Sequence, residues 1–244
     1  MSKKKMKIVL KKIINIFGYK IAKLSKYPLQ NDSVYLAIKN NFEEENAVFF
    51  DIGVNQGQTS KKMKSAFPQS IVYGFEPNKI CFNYLTENVK IDKVFFYNKA
   101  VGSSHSFLEF NEYSWSAISS LLKRAYTSSK IMETYKVEVI TIDDFCKKNK
   151  ISHINLLKTD TEGYELEVLK GATTMMDQNQ IQFVLVETFF NENFIGQGSF
   201  GDIYNYLLSK NFGLVRFYDF ETTLEGMANR SDALFFNKKF KNIV

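Results

Sequence analysis

Apolar positions along the chain gather into short runs, and helical-period stretches lie between them. Runs near 47–52, 70–76, 93–98, 154–159 and 181–187 are almost continuously apolar. That pattern predicts strands buried on both faces, because a strand with one solvated face would alternate. "GLVRFYD" (213–219) and "DALFFNKK" (232–239) add two more strands. The short "FETTLEGMANRS" between them predicts an antiparallel pair at one edge of the sheet.

Helices are expected over 57–67, 78–90, 161–176 and 202–210. In the second, Ile80, Phe82, Tyr84, Leu85 and Val89 are apolar; in the third, Leu166, Leu169, Ala172 and Met176 share one face. Buried strands separated by helices predict an α/β fold, a doubly wound and mostly parallel sheet. Residues 103–141 break the alternation with "SFLEFNEY", a Ser-rich stretch and "YKVEVITID", which predicts an extended β insertion on the substrate side.

With 244 residues, 45% of them hydrophobic, the chain can bury one large core. One domain over 46–240 is expected, preceded by an N-terminal segment over 1–45. Cys81 and Cys146 form no metal-ligand or disulfide framework, which suits a reducing compartment and a cytoplasmic location. The net charge of +6 hides an asymmetry: residues 1–26 carry nine lysines and no acid, so the remainder sums to 6 − 9 = −3. Ile13, Ile14, Ile16, Phe17, Ile21 and Leu24 sit among those lysines at helical spacing, and Pro28 marks an end. The segment is too interrupted by charge to span a bilayer or serve as a signal peptide. The simpler expectation is an amphipathic helix packed on the body; the alternative is peripheral contact with an anionic membrane at its inner face.

"VFFDIGVNQGQTS" (48–60) is the first strand-to-helix turn, where ligands of open α/β sheets bind. Two glycines, Gly53 and Gly57, replace the three of a dinucleotide loop, and Asp51 precedes them. An acid in this turn suits a cationic guest better than a pyrophosphate. Glu76 ends the second strand 23 residues after Gly53, where a carboxylate can accept both hydrogen bonds of a ribose diol. A ribose, a positive charge and no phosphate together describe S-adenosylmethionine.

"DIGVNQGQT", "YGFEPN", "NKAVGS", "VITIDDF", "LLKTDTEGYELEVLKGA" and "FVLVE" follow the order and spacing of the FkbM-type methyltransferase family, which the chain resembles over about residues 46–190. The block "KTDTEGYELEVLKGA" is the most specific part, and Val54 departs from the family's usual small Ala, with methyls expected to narrow the loop. The resemblance implies a seven-stranded class I methyltransferase fold (Rossmann-like), S-adenosylmethionine as donor, and O-methylation of sugars or other hydroxylated metabolites. It also implies that Asp51, Gly53, Asn55, Gly57 and Gln58 line the methionine end of the donor, that Glu76 holds the ribose with Pro77 and Asn78 beside it, and that Ala100 and Val101 border the adenine. Read as ordinary structure, Gln58 is a first-turn helix residue, Asn78 a helix N-cap and Ala100 a core position.

Methyl transfer to a sugar hydroxyl calls for in-line positioning and a nearby base. Asp160 ends the fourth strand and is the first choice for acceptor contact or base; Glu187, ending the next strand, is the second. Glu162 is expected to orient the acceptor or begin the following helix, where acids are favoured by the dipole alone. Lys158 shares a strand face with Asp160 and can hold it ionised, or serve only as a structural ion pair. Three converging acids also allow a divalent cation, without any specific metal motif. His105 reads as a surface-loop residue and His153 as structural. Trp115 in "NEYSWSAISS" can stack on a sugar, although a lone Trp more often packs into a core. A small-molecule or glycan acceptor, in a cell-surface glycan or its activated precursor, is therefore expected, and no nucleic acid. The rivals are a nucleic-acid methyltransferase and a non-catalytic membrane-surface protein that retains the cofactor fold. Oligomeric state is not legible.

Overall fold

The computed structural model describes residues 33–39 and 47–240, so the lysine-rich segment over 1–26 and Pro28 lie outside the described residues. Seven strands form the central sheet: β1 (Val48–Ile52), β2 (Ile71–Phe75), β3 (Val94–Tyr97), β7 (Ile154–Thr159), β8 (Ile181–Phe189), β9 (Phe212–Thr222) and β10 (Ala228–Asn237). Their spatial order is β3-β2-β1-β7-β8-β10-β9. All neighbouring pairs from β3 to β8 are parallel, and β10 runs antiparallel to both β8 and β9. The expected parallel sheet with an antiparallel edge region is the one observed.

Adjacent residues show why both faces are apolar. Phe50 points into one core with Ile142, Phe145, Val168, Leu169, Met176, Ile203 and Leu207; Phe49 points into another with Ile38, Met63, Phe67, Leu156 and Phe183. The first face is covered by α4 (Ile142–Asn149), α5 (Glu165–Lys170), α6 (Thr173–Asp177) and α7 (Phe200–Ser209); the second by α1 (Val34–Lys39) and α2 (Gln58–Ala66). Period-two alternation sends successive side chains to opposite faces, so a strand covered on both sides can tolerate a polar residue only where a partner waits. Helix α3 (Lys79–Asn88) caps a smaller cluster of Val54, Leu85 and Val89. Val54 is buried there, away from the turn's open side, so its methyls do not narrow the loop.

A second sheet, β4 (Ala100–Val101), β6 (Ile131–Ile140) and β5 (Ser106–Tyr113) in that order, occupies the region where alternation failed. Two helical expectations are revised. The helix expected over 161–176 starts only at Glu165 and is split into α5 and α6 at Ala172, whose φ of −112° leaves the helical region, while the preceding Gly171 lets the Gly102 carbonyl oxygen approach to where a β-carbon would lie 2.1 Å away. Helix α4 had no counterpart in the apolar pattern, yet its Thr141 cap accepts from the Asp144 N–H at 3.0 Å, a polar start signal legible in "TIDDF". Among the described residues no helix is long and apolar enough to cross a membrane, and both cysteines are buried and unpaired.

Candidate active site

The winding of the sheet reverses between β1 and β7, and a cavity of about 480 Å³ opens at their carboxyl ends. That volume lies within the roughly 300–1,000 Å³ of small-molecule pockets. Along this edge the sheet order sets out the wall in sequence: Ala100 and Val101 beyond β3, Glu76 after β2, Gly53 and Asn55 after β1, Asp160 and Glu162 after β7, and Glu187 on β8.

The turn after β1 is held by backbone geometry. Gly53 and Gly57 have φ of +82° and +85°, and the N–H groups of Gly53 and Val54 both donate to the Phe75 carbonyl, at 3.0 and 3.3 Å. A β-carbon on Gly53 would lie 1.8 Å from the Asp160 carbonyl oxygen. The glycine is therefore required by the neighbouring β7 turn. Glu76 pins the same loop from the other side: Oε2 accepts from the Asn55 N–H at 2.7 Å and Oε1 from the Asn78 N–H at 2.8 Å. Burial pushes its carboxyl up to about 7 despite those two hydrogen bonds.

The acids gather on the β7–β8 side. One carboxylate oxygen from each of Asp160, Glu162 and Glu187 lies within 4.8 Å of the others. Lys158 Nζ donates to Asp160 Oδ2 at 3.0 Å and stands 3.5 Å from Asp51 Oδ1. Burial alone would lower the Lys158 ammonium, but the Asp160 and Asp51 carboxylates outweigh it and hold the pKa above its ordinary value. Burial first, then the Asp160 charge, raises both Glu162 and Glu187 well above the usual carboxylate range. Arg230 Nη1 donates to Glu187 Oε1 at 3.0 Å. Glu165 closes the turn beneath, accepting from the Thr161 and Gly163 N–H groups at 2.7 and 3.1 Å.

Of the sequence-predicted site residues, Gly53, Asn55, Gln58, Glu76, Pro77, Ala100, Val101, Asp160, Glu162 and Glu187 line the cavity. Asp51, Gly57, Asn78 and Lys158 do not. Asp51 is wholly buried and accepts from Ser60 Oγ at 2.6 Å, so it stands behind the wall and steadies Lys158. Asn78 is the N-cap of α3, accepting from the Cys81 N–H at 3.0 Å, as its structural reading had it. Gly57 is the left-handed N-cap of α2. Glu162 does not open a helix: it has φ +57° and lies three residues before α5. Helix-dipole stabilisation thus gives no account of its position, and the left-handed turn sets it on the cavity wall. Neither histidine lines the cavity.

Trp115 departs from the usual fate of a lone tryptophan: it is 61% exposed and lines the cavity beside Ser116 and Ser119. Residues absent from the sequence reading are Arg230, Tyr164, Thr59, Phe110 and Lys99. Arg230 had a legible signal, because an antiparallel last strand must begin at the carboxyl edge of its parallel neighbours. The register pairing Asp232 with Glu187 puts Arg230 there.

Comparison with known proteins identifies the family. The chain is 32% identical over 146 residues to the hexuronic acid methyltransferase AglP of Haloferax volcanii, covering 59% of this chain and 56% of that protein. It is 22% identical over 183 residues to the 2-O-methyltransferase NoeI of Sinorhizobium fredii, covering 70% and 74%. The chain thus spans little more than half the length of the first relative. Among solved structures, M. capricolum TrmK in complex with S-adenosyl-homocysteine aligns over 82% of this chain and 67% of that one, at 12% identity and a TM-score of 0.47. The family model described as the methyltransferase FkbM domain matches residues 51–214, from the buried aspartate of β1 into β9, and the chain belongs to that family.

Proposed function

We propose that the protein transfers a methyl group from S-adenosylmethionine to a hydroxyl of a sugar, in a cell-surface glycan or its activated precursor. The observation that carries this reading is the gradient along the carboxyl edge. It runs from the buried apolar pair Ala100 and Val101, through the loop-pinning Glu76, to three convergent carboxylates on β7 and β8. The first half suits a nucleoside and the second a hydroxylated acceptor. The names of AglP and NoeI, a hexuronic acid and a 2-O-methyltransferase, support the same acceptor class.

In this reading Glu76 holds the ribose through the lone pairs that Asn55 and Asn78 leave free, and Pro77 with Ala100 and Val101 flanks the adenine. Gly53, Asn55 and Gln58 hold the methionyl portion. When bound, the donor supplies an electrophilic methyl on a sulfonium. Asp160, held by Lys158, receives or orients the acceptor hydroxyl, and Trp115 offers a ring face for the apolar side of a sugar. Replacing Asp160 by Asn is expected to leave donor binding and the fold intact while lowering kcat by about 10²–10⁴-fold. An unchanged kcat reassigns the base. Binding of the donor with no transfer to any hydroxylated acceptor would favour the non-catalytic reading.

A further inference from the structure

We infer that Asp160, Glu162 and Glu187 form a binding site for an oxygen-seeking divalent cation, of the Mg²⁺, Mn²⁺ or Ca²⁺ class, on the acceptor side of the cavity. One oxygen of each carboxylate already lies within 4.8 Å of the other two. Oxygen ligands stand about 2.3–2.6 Å from Ca²⁺, so any two lie at most about 5 Å apart, and the three side chains meet that limit as they stand, whereas the shorter bonds of Mg²⁺, about 2.0–2.1 Å, need the carboxylates to draw together. An acidic surface patch would not have the next feature. Glu187 is only 6% exposed and belongs to the cluster, and its Oε2 is buried without a hydrogen-bond partner. A buried acceptor of this kind is uncommon unless something outside the chain completes it.

Cations already hold one oxygen of two of these carboxylates. Lys158 takes Oδ2 of Asp160 and Arg230 takes Oε1 of Glu187, each at 3.0 Å. Such outer partners orient ligating carboxylates around metals. The Glu162 carboxylate makes no hydrogen bond among the described residues, and the left-handed turn at φ +57° sets the residue on the cavity wall. This site rests on the methyl-transfer reading for its purpose: adjacent sugar hydroxyls are ligands for the same ion, which would orient the acceptor and ease loss of its proton. Asp160 is then a ligand as well as the acceptor's neighbour.

The test is calorimetric titration of Mn²⁺ and of Ca²⁺ into the full chain and into Glu187→Gln, Glu162→Gln and Glu76→Gln, with S-adenosylhomocysteine titrated into the same four proteins. The expected result is one cation site in the parent chain, weakened at least about tenfold in the first two variants and unchanged in Glu76→Gln. The Glu162 carboxylate makes no hydrogen bond among the described residues, and the Ser120 hydroxyl is held by the Glu162 backbone carbonyl, which Gln keeps, so its variant decides the matter even if Glu187→Gln unfolds. No cation uptake by the folded parent chain, or equal uptake by both acid variants, overturns the site. S-adenosylhomocysteine binding should weaken at least about tenfold in Glu76→Gln alone. A parent chain that takes cation but not this nucleoside keeps the metal site and loses the donor assignment, and the reverse result does the opposite.

Discussion

Replacing Gly53 by Ala tests whether the donor turn and the acid-bearing turn are one mechanical unit. The new β-carbon would lie 1.8 Å from the Asp160 carbonyl oxygen, whereas real contacts do not fall below 3.0 Å, so the two chains must part by about 1.2 Å. Holding a side-chain-bearing residue at φ +82° costs about 1–2 kcal/mol. Parting the chains also loosens two hydrogen bonds, Gly53 N–H to Phe75 O and Asp160 N–H to Ile52 O, both 3.0 Å, each worth about 1 kcal/mol. The expected loss is about 3–4 kcal/mol, a large part of the roughly 5–15 kcal/mol that holds a domain folded. A displacement of that size at Asp160 should also lower kcat on the order of 10²-fold. Urea unfolding and steady-state turnover read both effects. Gly196→Ala is the control, because Gly196 has φ +83° with nothing within 4 Å of its β-carbon position and so isolates the backbone strain. A Gly53→Ala protein no less stable than Gly196→Ala, with full turnover, would refute the coupling.

Glu76 should impose a pH dependence of unusual sign. Its folded pKa of about 7 lies above the ordinary 4.5, so the native state keeps a proton that the unfolded chain has released. Its contribution to stability is complete below about pH 4.5 and is lost as pH rises through about 7, while donor affinity rises over the same interval as acceptor capacity returns. Paired thermal melts and donor titrations across that range check both slopes, and Glu76→Gln should flatten them. Trp115→Ala should raise KM for the acceptor while leaving donor affinity unchanged, with stability within about 0.5 kcal/mol because the ring is exposed; a raised donor Kd instead would move Trp115 to the other half of the cavity. Lys158→Met leaves Asp51 buried without its cation and should cost about 3–5 kcal/mol, part of which Asp51→Asn in the same chain restores. Additive losses in a chemical-denaturation cycle would show that the two side chains are not paired.

The strands were readable because burial on both faces leaves little room for polar residues. "VFFDI" and "FVLVE" announce themselves, and the buried charged residues of β1, β7 and β8, namely Asp51, Lys158 and Glu187, are the ones with chemistry attached. The cap chemistry of Asn78 was likewise local, since an N-cap bond spans three residues. Nothing local could place Trp115. Whether an aromatic is covered depends on what packs over it, and here the 3₁₀ turn at Ser116–Ile118 leaves it on the cavity rim. The need for a glycine at 171 was hidden for a similar reason, because the contact that demands it comes from Gly102, far away in sequence.

By itself the sequence determined the alternation of buried strands and helices, the turn at Gly53, and the acids at strand ends, since each follows from short-range periodicity, capping and backbone freedom. Only the tertiary structure decided which of those acids converge, that Asp51 lies behind the wall, and that Arg230 closes on Glu187. Convergence depends on sheet order and strand direction, which bring residues dozens of positions apart within a few ångströms, and no local pattern encodes that distance.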